Sequence, residues 1–590
     1  MQPISQRIRC FVTVILLLCA AQCWAQSGTA KPSGTSSGQI TGRVVNSAGE
    51  PLPGASIYAG SILGNVRGKT GMADTHGDFK IDGLEPGLYN VSVTMPGYIV
   101  SRTPTGDSPG YYRLGDSVTF TLTKGGVITG TITGANGPLV GVSIFATRVR
   151  DIDGKKLSAA FPGGFERRTD DRGVFRIYGL PPGAYILIAT RPRVGTIAPS
   201  AYDLDAPTYY PSGPRDTAAQ IVVREGDEIT ADIQYRAERG HTVSGKLSGM
   251  ITSDIQFSSA TSITLTDLRD RTQIANSGTS YPDPSSFALL GIPDGEYEMS
   301  AQQYLPTGYQ LRSPPRRVTV HGADVTGISL TLAPLASIDG RLVFEPDPKA
   351  GCAKRRETAA AETLVYARRY EPEKKPGADP KVVAPEVSIS AASYTAQGVG
   401  DAKGSFTLRN LPPGSYRIDP RPPASGWYLR SITMGPARTE SRTGSLATAR
   451  GGVAVRSGER VSGLMVTITE GASLLRGRIS GTEAQTLPPR LRVYLIPVEP
   501  EAAENLLRFY ESWIEVDGRF IVDNVAPGKY WIVARLAAEN DSGSTKSVRQ
   551  DPTLRAKVSQ AAEALKKVIT LKPCEEVADF ALPYVAPVFP

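Results

Sequence analysis

The chain has 590 residues, more than a single hydrophobic core organises, so several domains are expected. Gly (61) and Pro (46) are abundant while charged residues make up an ordinary 21%, a mix that argues against helical bundles and for short strands joined by turns. The formal net charge of +8 is spread thinly, without the basic stripe that nucleic-acid binding requires, so nucleic acid is not an expected partner.

The first 25 residues read as an export signal. Arg7 and Arg9 precede an almost unbroken apolar run from Cys10 to Ala21, and Cys23 and Ala25 flank Trp24 at the exit. A basic start, a short apolar core and small residues at the exit predict a secretory signal peptide cut after Ala25. Gln22 stands where a lipid-attachment site before Cys23 normally has a small residue, and the apolar run is short for a bilayer span. The expected location is therefore the periplasm, the outer surface or the medium, with no membrane-spanning segment after cleavage. Residues 26–38 are rich in Ser, Gly and Thr and read as a linker. Beyond the signal, only Cys352 and Cys574 remain. Two readings stand, one disulfide or two unrelated thiols, and an even number in an exported chain favours the bond.

Five segments then align without gaps: "GDFKIDGLEPGLYNVSV" from Gly77, "GVFRIYGLPPGAYILIA" from Gly173, "SFALLGIPDGEYEMS" from Ser286, "GSFTLRNLPPGSYRIDP" from Gly404 and "GRFIVDNVAPGKYWIVA" from Gly518. Each pairs a Phe with a later Tyr: Phe79/Tyr89, Phe175/Tyr185, Phe287/Tyr297, Phe406/Tyr416 and Phe520/Tyr530. Phe and the aliphatic two residues on alternate as strand residues do. Gly83, Gly179, Gly291, Asn410 and Asn524 are types that tolerate positive φ. Pro-Gly in four copies, and Asp294-Gly295 in the third, predict a type II or similar tight turn, making each segment a hairpin. Upstream of each lies a short strand with a central Gly: "ITGRV" at Ile40, "ITGTI" at Ile128, "VSGKL" at Val243, "IDGRL" at Ile338 and "LRGRI" at Leu475. Downstream come one or two closing strands, such as "VTFTLT" from Val118.

"ITGRVVNSAGEPLPGASIYA" followed by "TGMADTHGDFKIDGLEPGLYNVSVTMPGYI" resembles the carboxypeptidase regulatory-like domain, a transthyretin-like sandwich related in shape to Cna-type B repeats. The second unit keeps the match, while the third to fifth retain the first strand and hairpin without the "PLxG" element. The resemblance implies an all-β chain of five tandem transthyretin/prealbumin-like (Ig-like) antiparallel β-sandwiches in an elongated array. It also implies a non-catalytic role beside other envelope components. The expected divisions are 1–25 signal, 26–38 linker, and sandwiches at 39–124, 125–236, 237–334, 335–470 and 471–590. Cna-like relatives can carry a Lys–Asn isopeptide bond. The final strands Thr119–Thr123 and Ser329–Leu332 contain no Asn, so none is expected.

The fourth unit has a long insertion holding the basic cluster "KRRETAAAETLVYARRYEPEKKPGADPK" from Lys354, read as a solvated loop around a strand at Thr363–Ala367. The fifth has two helical candidates, "EPEAAENLLRFYESW" and "DPTLRAKVSQAAEALKKV". In the second, Asp551 is the cap, Pro552 opens the helix, and Leu554, Val558, Ala561 and Leu565 form its apolar face.

Chemistry is scarce. His76, His241 and His321 fall in separate places with no metal-ligand spacing, no Cys pair has zinc-site spacing, and no nucleophile elbow or phosphate loop has its context. Asp151 and Asp153 before Gly154 make a fragment of a calcium loop that lacks the later ligands, and read as turn residues, as do Asp74, Asp170 and Asp171. No catalytic residue, metal or cofactor is expected. Aromatic pairs recur before the closing strands: Tyr111 and Tyr112, Tyr209 and Tyr210, then Tyr304, and Trp427 with Tyr428. They either stack on sugar rings or cap one end of each core, and recurrence with the fold favours the cap. The expected partner is a polysaccharide, with an envelope protein complex or a secreted hydrolase as the alternative.

Overall fold

A computed structural model of the chain describes residues 38–62, 68–100, 111–152, 154, 157, 166–190, 202–251, 261–269, 272–278, 283, 285–347, 352, 360–370, 395–422, 425–435, 452–480, 487–488, 491–499, 505–515, 517–537 and 548–584. The expected signal peptide, most of the linker, Asp153 and most of the basic insertion lie outside them. Alternating apolar residues in short strands build sheets in facing pairs, and among the described residues the five largest apolar clusters are met in chain order between them. In the first, Gly38–Asn46, Asp78–Leu84, Tyr98–Val100 and Ser117–Lys124 form one sheet. Ser56–Ser61, Lys69–Met72, Leu88–Thr94 and Tyr111–Arg113 form the other.

The five repeated segments are not hairpins. Asp78–Leu84 pairs with Gly38–Asn46, whereas Leu88–Thr94 pairs with Ser56–Ser61 in the facing sheet, and the other four copies do the same. The turn is an arch that carries the chain across the core. The predicted left-handed residues are in place: Gly83 (φ 73°), Gly179 (74°), Gly291 (66°), Asn410 (61°) and Asn524 (53°). The glycines after proline stand at φ values from 153° to 159°, so the expected type II turn, which needs about 80°, does not form. After these crossings the first strand of each unit lies beside the closing strand and pairs with it in parallel, as Gly38–Asn46 does with Ser117–Lys124; in the second unit the closing strand is split into Glu228–Thr230 and Ile233–Gln234. The sandwiches are otherwise antiparallel.

Two contacts explain why the arch sequence recurs. The central glycine of each first strand lies directly opposite the Phe of the arch: Gly42/Phe79, Gly130/Phe175, Gly245/Phe287, Gly340/Phe406 and Gly477/Phe520. A Cβ on Gly42 would stand 2.6 Å from the Phe79 ring, and one on Gly477 would stand 2.5 Å from that of Phe520. At Gly42, Gly130, Gly340 and Gly477 the glycine is the seat of the ring, while at Gly245 an added Cβ would first meet the Ile328 backbone. At the other end of the arch, the Tyr ring is buried and its hydroxyl donates to the carbonyl four residues back. The bonds are Tyr89 to Glu85 (2.7 Å), Tyr185 to Pro181 (2.5 Å), Tyr297 to Pro293 (2.8 Å), Tyr416 to Pro412 (2.7 Å) and Tyr530 to Ala526 (2.7 Å). Phe fills the core from one sheet and Tyr from the other. The hydroxyl lets a turn carbonyl be buried without an unmade hydrogen bond.

Two further expectations are corrected. Leu506–Arg508 is a single 3-10 turn and Tyr510–Trp513 a strand, so the first helical candidate is not a helix over its described part; pairing with Leu491–Pro497 prevails over composition. The second is helical at Pro552–Leu565, with Asp551 accepting from the Leu554 amide at 3.0 Å. Its buried face runs through Leu554, Val558 and Ala562 rather than Ala561, and Leu565 is exposed. In addition, two units distant in sequence meet. Leu88, Ile62 and Tyr111 of the first unit pack on Leu364, Tyr366 and Val399 of the fourth, and Tyr111 donates to Gln397 at 3.2 Å. Arg113 reaches the buried Glu362 at 3.9 Å. The apolar outer face of Leu364–Tyr370 has to be covered, and the first unit covers it.

The seat predicts that Gly340→Val lowers the unfolding free energy of the fourth unit by roughly 3 kcal/mol through overpacking against Phe406. Tyr416→Phe should cost about 1–2 kcal/mol by orphaning the Pro412 carbonyl; urea unfolding followed by hydrogen exchange checks both. Asp74, Asp170, Asp283 and Asp517 hold turns by accepting nearby amide or hydroxyl hydrogens, and these bonds lower their carboxyl pKa values. A folded pKa below the unfolded one gives stability that is present above about pH 5 and lost as pH falls through roughly 3.9 toward the folded value. Thermal midpoints should therefore be flat from pH 7 to 5 and drop below pH 4, and the quadruple Asp→Asn variant should show a shallower drop.

Candidate functional site

The structure does not gather the recurrent aromatics into one surface. Tyr112 turns its ring edge to Phe120 at 6.4 Å and flanks the first core, with burial raising its phenol pKa. Tyr209 is 2% exposed and packs with Phe145 and Ile188, while Tyr210 lies against the second core. Trp427 meets Phe344 edge-on at 5.7 Å, and Tyr428 beside it is half-buried, its phenol also raised by burial. Tyr111 is occupied by the contact with the fourth unit. Tyr304 alone of the seven is exposed, at 48%. Most of these rings cap cores, as their recurrence with the fold implies.

The titratable candidates are similarly dispersed. Asp151 is buried at the end of Ser143–Asp151. Asp74 and Asp170 accept backbone amides in their turns, as expected. His241 and His321, although far apart in sequence, flank one residue: Asp294 lies 3.1 Å from His241 Nε2 and 3.8 Å from His321 Nδ1. Among the described residues no three His, Cys, Asp or Glu side chains are placed to share a metal. Cys352 and Cys574 meet with Cα atoms 5.3 Å apart, a separation that a disulfide spans, and they bring the insertion of the fourth unit to the fifth.

The large recess lies where sequence analysis did not point. A cleft of about 690 Å³ opens between the fourth and fifth units. Strand alternation builds its first wall: Tyr416 and Ile418 of Gly414–Arg421 face the core, so Arg417, Asp419 and Arg421 face outward together. Arg368 on the neighbouring strand stands directly opposite Arg417. The fifth unit supplies Arg492, Glu511, Asp523 and Arg549, with Tyr510 and Trp513 between them. Five guanidinium groups thus meet three carboxylates. Arg492 is buried, pairs with Glu511 at 3.4 Å and lies 3.8 Å from the centre of the Trp513 ring. Asp419 receives Arg368 at 3.5 Å from its own unit and Arg549 at 4.0 Å from the next. Asp523, exposed on the strand Arg519–Val525, also lines the cleft. No single strand signals such a wall, since it needs two units to exist.

Fold and site together define a chain of β-sandwiches with an inter-unit cleft. Residues 39–122 match the carboxypeptidase regulatory-like domain, as their sequence implied. No curated protein matches the chain. Among solved structures it is similar to the Bacillus anthracis TIE protein, at 14% identity over 50% of this chain and 51% of that one, with a TM-score of 0.14. This chain therefore spans about half the length of that protein. It is also similar to GBS52, the minor pilin of Streptococcus agalactiae, at 14% identity over 38% of this chain and 100% of that one, TM-score 0.17. The shaft pilin SpaA from Lactobacillus rhamnosus GG matches at 12% identity over 34% of this chain and 98% of that one, TM-score 0.17. Overlaps of this extent carry no functional weight.

The placement of the aromatics predicts opposite outcomes for two of them. Tyr209→Ala should cost the second unit about 3–4 kcal/mol by emptying a buried site. Tyr304→Ala should change stability by less than about 0.5 kcal/mol. Chemical denaturation of the two variants distinguishes them.

Proposed function

We propose that this chain is an exported, non-catalytic binding protein of five sandwiches whose ligand class is polysaccharide, held between units rather than on the aromatic loops. The observation that carries the reading is the division of labour in the repeat. Seat glycine, Phe, left-handed residue and Tyr serve construction in every copy, so recognition falls to what differs, and the largest difference is the cleft between the fourth and fifth units. Its volume lies in the range of small-ligand sites. Unit edges near residues 124, 236, 334 and 470 are supported by closing strands that end at Lys124, Gln234, Thr331 and Glu470. In the described residues no helix is long and apolar enough to cross a membrane.

The Cys352–Cys574 bond belongs to the same proposal, as a tie between the two units that form the cleft. Thiol titration of the denatured, unreduced protein lacking residues 1–25 should find no free cysteine. Reduction should lower the stability of the fifth unit by about 2–4 kcal/mol. Affinity electrophoresis against a panel of neutral and acidic polysaccharides tests the ligand class: retardation by at least one member is expected, and none across the panel refutes it. A protein neighbour captured stoichiometrically by cross-linking, with no retardation, would favour the assembly role instead.

A further inference from the structure

We propose that the cleft between the fourth and fifth units is a recognition site for an acidic oligosaccharide, its sugar carboxylates held by guanidinium groups from both walls. This rests on the saccharide reading above and names the ligand's charge and the residues that select it. The first argument is the arrangement of like charges. Arg368 and Arg417 are a cross-strand pair on one face, and Arg421 follows two residues on from Asp419 along the same face. Like charges placed opposite cost stability, and Asp419 offsets part of that repulsion from both units at once. A carboxylate-bearing ligand entering the cleft would offset more of it.

The second argument is the chemistry of the donors. Among the described residues the cleft lining carries arginine and no lysine. A guanidinium offers a planar fork that matches a carboxylate with two parallel hydrogen bonds, and it keeps its charge at any working pH. Rings are already stacked under several of these groups: Tyr370 lies 4.4 Å from Arg417, Tyr366 lies 5.3 Å from Arg421, and Trp513 backs Arg492. Stacking fixes the plane of each fork and reduces the rotamer freedom that binding would otherwise remove. The third is the floor. Ile521 and Trp513 of the fifth unit, exposed at 48% and 38%, give the cleft an apolar surface among its charges. A sugar chain presents that alternation, with apolar ring faces between charged substituents. A small inorganic anion would leave the floor uncovered.

The test is calorimetric titration of the full chain with four probes: an oligogalacturonate, a neutral malto-oligosaccharide of equal length, citrate and inorganic phosphate. The oligogalacturonate should bind and weaken as salt is raised. The Arg417→Gln/Arg421→Gln variant should bind it about tenfold more weakly or worse, while Arg172→Gln, in an exposed turn of the second unit, should match the parent. Thermal unfolding of each variant shows whether the fold is retained, and Arg549→Gln supplies a substitution on the opposite wall if the double variant does not fold. Citrate or phosphate binding as tightly as the oligosaccharide overturns the sugar assignment. Binding of the neutral oligosaccharide alone overturns the acidic selection and leaves the saccharide reading standing. Silence of both oligosaccharides removes both.

Discussion

The contact on which the rest of the molecule depends is the Phe ring of the arch resting on the bare backbone of a first-strand glycine, a close approach in four of the five copies. It fixes the register between the first strand and the strand that enters the arch, because a slip of one residue would drive the ring into a side chain. From that register follow the crossing to the opposite sheet, the burial of Tyr on the far side and the hydroxyl bond that closes the turn. The two sheets are thus held to each other by one short segment of chain. Five repetitions in a single sequence make this a constraint of the fold and not of any one unit.

Much of this is legible in the amino-acid sequence alone. The alternation around Phe, the positive-φ positions and the first-strand glycines are local signals, and local signals survive in sequence. Connectivity is what sequence patterning hides. A strand, a tight turn and a second strand look the same whether the strands pair or face each other across a core, since both arrangements alternate with period two. Taking the Tyr only as an apolar strand residue also hides its hydroxyl. The clue is present, because a Phe would serve apolar packing equally well and never replaces it in the five copies. In the helix, Ala562 instead of Ala561 faces inward, a one-residue rotation that composition does not resolve.

The cleft is not legible at all in the sequence, for a physical reason. Arg417, Asp419 and Arg421 read as the solvated face of an ordinary strand, and each acquires meaning only when Arg492, Glu511 and Arg549 arrive from another unit. The aromatic loops stand out in the sequence because they recur. Recurrence, however, marks what every sandwich needs, and a binding function of one chain is more readily found where copies differ. The contact of the first unit with the fourth makes the same point, since Tyr111 acquires a partner that its own unit does not supply.

Hydrogen exchange across the intact chain tests the central claim most directly. If each seat and arch is the nucleus of its own unit, the slowest amides will fall into five blocks, each covering a first strand together with the arch strands beside it. A chain whose slowest amides cluster in one unit, or whose arch strands exchange as fast as the surrounding loops in any copy, would contradict the account.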